Sequence, residues 1–475
     1  MSRGQAAEAA ATAARATAAL GGVSYPLLLV TVSLTSVIAP LNSTMIAVAL
    51  PDVRGDFNVS HAAVTWLVSA YLIAMCVAQP LGGRLGDQLG RSRVLRAGLA
   101  TFLAFSLAAA AAPSFWALVG LRTAQAVVGA AVLPNGAAMV RETVPLRRLG
   151  QANGLTGSAI GLSAALGPVL GAALLSLGSW RLLFLANLPL VGAGMLCLFL
   201  LRYRDRPSSG GAVVDWPGAL LLAGVLVALT ELLGGLRGGR TGAVAATAVA
   251  LVLIGALFSS RQAASPRPLA EWRLFRIRSY SAATTYILLG NLVMYTTLLA
   301  VPFFIKEVQH KPVGTAGLLI GTLSVLMSLL SPVSGLISDA RGRRLPAMTG
   351  AVCQLVAAVM LLAGIGTGVS SLYLALSLAV LGLGSGLGTG AASTAAVEAA
   401  PRELAGAAAG SMSMMRYFGS ILGAGVLAGI LNSGAAPGPE VFRALFGVLV
   451  VMAAGAVICS ALVHSFVQEP APGGE

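Results

Sequence analysis

The sequence predicts an all-α polytopic membrane protein, built as two six-helix bundles with two extra helices inserted between them. Three observations carry that prediction. Of the 475 residues, 57% are hydrophobic and only 10% are charged, against about 25% charged in an ordinary soluble domain. Apolar runs of about 20 residues, the length that crosses the roughly 30 Å apolar core of a bilayer, recur along the chain. Two sets of residues also reappear in the second half at nearly constant spacing.

The elements follow in order. Residues 1–24 are Ala-rich with Arg3 and Arg15; the run after them is long enough to span and many more follow, so they read as a cytoplasmic tail, not a signal peptide. Apolar runs bounded by charges, Gly/Pro clusters or turns give fourteen spans: 25–47, 62–83, 94–112, 115–138, 152–176, 182–201, 215–235, 242–260, 281–305, 315–338, 346–366, 371–397, 406–432 and 440–465. Spans 1–6 make an N-terminal bundle over 25–201, residues 202–280 hold the linker and two inserted spans, 281–466 form the C-terminal bundle, and 467–475 are a second cytoplasmic tail. With the N-terminus inside, 21 of the 30 Lys+Arg fall on the cytoplasmic side, seven fall outside, and Arg122 and Arg416 lie within spans. The positive-inside rule then places both termini in the cytoplasm. The excess over 16 Asp+Glu therefore marks topology, and no nucleic-acid partner is implied.

The repeat is specific. Pro80, Gly83, Asp87, Gly90 and Arg91 recur at Pro332, Gly335, Asp339, Gly342 and Arg343, each 252 residues on, in the short turns expected after spans 2 and 10. Glu142, Pro145, Gly150, Gly154 and Gly167 recur at Glu398, Pro401, Gly406, Gly410 and Gly423, each 256 residues on. Two echoes with nearly one offset mean two homologous halves. Parallel halves around a midplane cavity are a transporter architecture.

Further motifs lie in sequence with these: Leu41-Asn-Ser-Thr-Met-Ile-Ala-Val-Ala-Leu-Pro51, then Gly83-Arg-Leu-Gly-Asp87-Gln-Leu-Gly90-Arg91-Ser-Arg93, Arg122-Thr-Ala-Gln125 with Gly129 and Pro134, Gly154 with Gly167-Pro168 and Gly171, and Leu274-Phe275-Arg276. In this order they resemble the major facilitator superfamily, and the span count is similar to that of its drug:proton antiporter family with 14 transmembrane helices. The resemblance implies the major facilitator fold and a secondary active transporter that exports small amphiphilic compounds, as in drug or antibiotic efflux, by proton antiport and alternating access. Export of one endogenous lipid or secondary metabolite, without proton coupling, is the alternative.

It also assigns roles. Gly83, Asp87, Gly90, Arg91 and their echoes Gly335, Asp339, Gly342 and Arg343 become a conformational latch: carboxylates can accept charge-assisted hydrogen bonds from Arg and helix N-termini and join the halves. The bland reading is that these charges only mark topology. Gly154, Gly167, Pro168 and Gly171 give span 5 a small face and a place to bend, the hinge motif of the family, with no side chain able to carry a proton. Gly382, Gly386 and Gly390 read as a packing seam in span 12.

Ionisable residues within spans default to functional candidates. The resemblance places Arg122 at the arginine of the family's proton-relay motif; the bland alternative is a buried arginine satisfied by carbonyls and Gln125. Arg416 could bind an anionic substrate group or tie its helix to a neighbour. The family's usual aspartate in span 1 is here Asn42, and its motif asparagine is Ala47. Glu231 is the one carboxylate well inside a span, near Arg237 and Arg240. Proton-coupling candidates are thus Arg122, Gln125, Glu231 and Asn42. Cavity candidates are Asn42, Tyr71, Tyr286, Tyr295, Phe303, Phe304, Arg416 and Tyr417, and two embedded arginines without a central acid would favour anionic or zwitterionic amphiphiles.

Other classes are disfavoured. Lys306 and Lys311 follow Ile305 and His310, so no P-loop exists. His61, His310 and His464 lie far apart and no metal-ligand spacing occurs, so neither metal, cofactor nor enzymatic chemistry is expected. The Ala, Gly and Arg content suggests a GC-rich bacterial genome. The expected setting is the bacterial inner membrane, with a small amphiphile and protons as partners and a monomer as the family default.

Overall fold

The computed structural model describes residues 24–144, 146–201, 203–205, 215–235, 241–265, 269, 271–366, 368–401, 404–431 and 438–463. The expected tails, apart from Ser24, lie outside the described residues, as do Arg237, Arg240 and the side chain of Asp339. Among the described residues are fourteen helices long and apolar enough to cross a membrane: α1 Tyr25–Phe57, α2 His61–Leu89, α3 Arg91–Ala110, α4 Phe115–Thr143, α5 Leu146–Ser176, α6 Leu182–Leu200, α7 Trp216–Gly235, α8 Thr241–Ala264, α9 Arg278–Val308, α10 Val313–Arg341, α11 Arg344–Ala363, α12 Ser371–Ala399, α13 Ala405–Leu431 and α14 Pro439–Ala461. They form two six-helix bundles, α1–α6 and α9–α14. The inserted α7 packs on α13 and α2, and on α8.

The helices outrun the apolar runs, with one correction to the motif reading. α2 continues to Leu89 and α10 to Arg341, so Asp87 and Asp339 lie in the last turns of helices with Gly83 and Gly335 about a turn further in, and the turns themselves shrink to Gly90 and to Gly342-Arg343. Gly90 (φ +100°) and Gly342 (φ +82°) end their helices in a conformation that only glycine adopts freely.

Prolines place the breaks. α1 is interrupted at Val37, α4 at Ala130 and Ala131, and α6 at Ala186. Pro40, Pro134 and Pro189 stand three or four residues beyond, where each removes the N–H that would bond the carbonyl four residues back. By contrast α5 passes through Pro168 as one helix.

Small residues bring the halves together. A side chain at Gly171 would meet the Met45 carbonyl oxygen at 2.9 Å, so α5 lies against α1. On its other side, a side chain at Gly317 of α10 would meet the Pro168 carbonyl oxygen at 2.9 Å. The seam expected in span 12 is present: a Cβ at Gly386 would lie 2.5 Å from the Met327 carbonyl oxygen of α10. The repeat extends to contacts. Gly167 abuts Thr44 and Gly423 abuts Thr296, residues that correspond across the two halves.

Candidate functional site

At mid-depth between the halves lies a cavity of about 370 Å³. Ser43 and Thr44 of α1, Tyr71 and Met75 of α2, Asn291 and Tyr295 of α9, Met327 and Ser328 of α10, Ser385 and Thr389 of α12, and Arg416, Tyr417 and Ser420 of α13 line it. It extends along α10 and α12 toward Ser331 and Ser393, the direction of the arginine-rich face. Of the expected cavity residues, Tyr71, Tyr295, Arg416 and Tyr417 are in the lining.

The others are placed elsewhere. Phe303 and Phe304 sit two turns beyond Tyr295, about 12 Å along α9, where Phe303 packs on His61 with ring centroids 5.7 Å apart and Phe304 meets Phe442 edge-on at 5.2 Å. Tyr286 is buried beside Ala351 and Ala392. Asn42 lies behind the lining, in a polar network of the N-terminal bundle.

That network centres on Gln125. Its Oε1 accepts from Arg122 Nη1 at 2.8 Å and from Asn42 Nδ2 at 3.0 Å, while its Nε2 donates to Ser106 Oγ at 2.5 Å. Asn187 Nδ2 donates to Ser106 Oγ at 3.0 Å. Arg122 is fully buried, its Cζ stands 4.2 Å over the Tyr71 ring centroid, and its Nε and Nη2 have no partner. Thus Gln125 satisfies part of the guanidinium and Tyr71 covers a face of it, but no described carboxylate neutralises it. Glu231 is exposed on α7 and takes no part.

Side chains from both halves meet at two levels. Beside the cavity, Ser43 Oγ and Tyr295 OH are 2.7 Å apart. At the face opposite the arginine-rich one, Lys306 Nζ meets Asp52 at 2.6 Å, Arg54 Nη2 meets Glu307 at 3.0 Å, and His61 Nε2 lies 2.8 Å from the same Glu307 oxygen. Asp56 is held to the α5–α6 connection by Trp180 Nε1 at 2.9 Å and Arg181 at 3.2 Å. These ion pairs close the opposite face.

On the arginine-rich face, the pairs around Arg91 and Arg343 described here each lie within one half. Arg91 bonds Asp87 and Glu142, both at 2.7 Å; Arg343 bonds Glu398 at 2.9 Å. The two sequence echoes therefore meet in one repeated ion pair, turn to helix end. Tyr203 OH also donates to Glu142 at 2.6 Å; burial first, and then that bond, push its phenol above the ordinary value and keep it a donor. Sequence reasoning missed Asp205, which accepts from Ser92 N at 2.7 Å and Ser92 Oγ at 2.9 Å and so caps α3.

Comparisons with known proteins agree with this architecture. A family model described as Major Facilitator Superfamily matches residues 32–424. The uncharacterized MFS-type transporter YvkA of Bacillus subtilis is 32% identical over 84% of this chain and 89% of its own length. The tetracenomycin C resistance and export protein of Streptomyces glaucescens is 29% identical over 87% of this chain and 77% of its own length. For the multidrug resistance protein Stp of Mycobacterium tuberculosis the identity is 30%, over 82% and 73%. Among solved structures, a D-xylose-proton symporter superposes with a TM-score of 0.66 at 14% identity, covering 94% of this chain and 99% of that one, a likeness of fold.

Proposed function

The chain belongs to the Major Facilitator Superfamily, and from that premise we propose that it exports small amphiphilic compounds across the bacterial inner membrane by alternating access coupled to proton exchange. The observation that carries the reading is the 370 Å³ cavity at the seam of the halves, bounded on one side by interhalf ion pairs. With the arginine-rich face in the cytoplasm, this is an inward-facing state ready to load. Relatives named for multidrug resistance and for tetracenomycin C resistance and export support the direction of transport.

In the proposed cycle, loading from the cytoplasm brings the turns around Gly90 and Gly342 together as the latch, α5 and α10 pivot about the contact of Gly317 and Gly321 with Pro168, Val169 and Ala172, and the pairs at Glu307 and Asp52 separate. Groups that change partners between states can bind a proton in one and release it in the other. The carboxylates that this motion frees from their partners are Glu307 and Asp52, while Arg122, Gln125 and Asn42 form a polar core deeper in the N-terminal bundle.

A second reading, dedicated export of one product without proton coupling, is favoured by a specific observation: no carboxylate lines the cavity or reaches Arg122 among the described residues. Efflux of a panel of unrelated fluorescent amphiphiles from cells expressing the chain separates the two. Lowered accumulation of several supports the first reading; lowered accumulation of one compound class only supports the second.

A further inference from the structure

We infer that the cavity takes an organic anion, a single-headed amphiphile whose carboxylate or similar headgroup becomes the counter-ion of Arg416. This rests on the export reading and specifies the substrate class for that same cavity.

Arg416 projects into the lining from the middle of α13. Its Nε is buried without a partner, and no described carboxylate lies within ion-pair distance of its guanidinium. A charge in that position is costly until it is paired. The second positive charge adds to it: Arg122 stands directly behind the Tyr71 ring, which itself faces the cavity. The remaining polar lining, Asn291, Ser385 and Ser420 among it, is neutral. A cationic ligand would therefore meet the uncompensated Arg416, with the charge of Arg122 behind Tyr71 adding to the repulsion, and no acid in the lining to pair with. An anion would supply what Arg416 lacks, and Leu72, Met75, Leu133, Ile160 and Met327 would receive its apolar body. A volume of about 370 Å³ is small for a lipid with two acyl chains, which selects a free amphiphile.

The test is equilibrium binding to the purified full chain in phosphatidylcholine nanodiscs, which needs no transport and so fails separately from the export reading. Three probes share one aromatic body: 2-naphthylacetate, its methyl ester, and 2-naphthylethyltrimethylammonium. The anion is expected to bind at least ten-fold tighter than the ester, and the cation weakest. Arg416→Gln should abolish the advantage of the anion while leaving the ester within two-fold, and Arg416→Lys should retain part of it. Equal affinity for anion and ester, tighter binding of the cation, or an anion preference that survives Arg416→Gln would each overturn the proposal. The comparison of probes on the unmodified chain decides even where a variant does not fold. Displacement of 2-naphthylacetate by phosphatidylglycerol added to the nanodisc would overturn the free-amphiphile assignment in favour of a lipid headgroup.

Discussion

Arg122 Nη1 donates to Gln125 Oε1 at 2.8 Å, one helical turn away, and no carboxylate among the described residues shares the guanidinium. The charge is held instead by an amide oxygen and an aromatic face. Replacing Arg122 by Lys removes the planar fork that fits both. Transport is expected to fall at least ten-fold with the protein still monodisperse, as read by dye efflux beside size-exclusion chromatography.

Asn42→Asp is the complementary change. Asn42 and Arg122 share the Gln125 oxygen, so a carboxylate at 42 comes within reach of an unpaired buried cation. Losing one partner of a buried pair costs about 3–5 kcal/mol, and supplying the missing one should recover part of that. The expected outcome is a higher Tm at pH 7 than that of the unsubstituted chain; an unchanged or lower Tm would show that the guanidinium is already compensated.

The interhalf pair of Arg54 and Glu307 closes the opposite face. Glu307 is 13% exposed and Arg54 32%, so solvent screens the pair only in part; Glu307→Gln keeps an accepting oxygen but removes the charge, and with it part of the about 1.5–3 kcal/mol of a charged hydrogen bond. The population should move toward the outward-open form by about ten-fold or more. Double electron–electron resonance between nitroxides at Val59 and Thr315 reads this as growth of a longer distance.

Gly90→Ala and Gly342→Ala force a side chain into a backbone region that only glycine occupies easily, at about 1–3 kcal/mol each. At Gly90 the Cβ would also fall 2.6 Å from Asp205 Cγ, the cap of α3, which adds to the cost there. Thermal unfolding in detergent is expected to show a lower Tm for each variant than for the unsubstituted chain.

Exchanging the charges of the repeated pair, Arg91→Glu with Glu142→Arg, should recover activity that either single change loses. With Arg91 19% and Glu142 45% exposed, the coupling in a double-mutant cycle on stability is expected near 0.5–1 kcal/mol. An uncoupled cycle would make these residues topology markers only.

Much of this molecule was legible because a bilayer demands long apolar runs, and those runs locate the helices without knowledge of packing. Breaks at Val37 and Ala186 follow from Pro40 and Pro189, which act locally. The cavity was less legible. α9 is buried on almost every face, so its sequence has no polar side to set its rotation, and Tyr295 reaches the cavity while Tyr286 does not. Phe303 and Phe304 were misplaced because their depth along α9, near the ion pairs of the opposite face, became apparent only from the helix extending to Val308. The partnership of Arg91 with Glu142 spans 51 residues, and although each residue belonged to a repeated set, nothing local joins the two sets. Asp205 belonged to no motif at all.

The most direct test of proton-coupled export is substrate-driven proton movement in proteoliposomes, comparing the unsubstituted chain with Arg122→Ala and Asn42→Asp. Proton exchange by the unsubstituted chain, abolished in Arg122→Ala, is the predicted result and places the coupling proton outside position 42. Proton exchange seen only with Asn42→Asp would contradict it and make the chain an uncoupled facilitator.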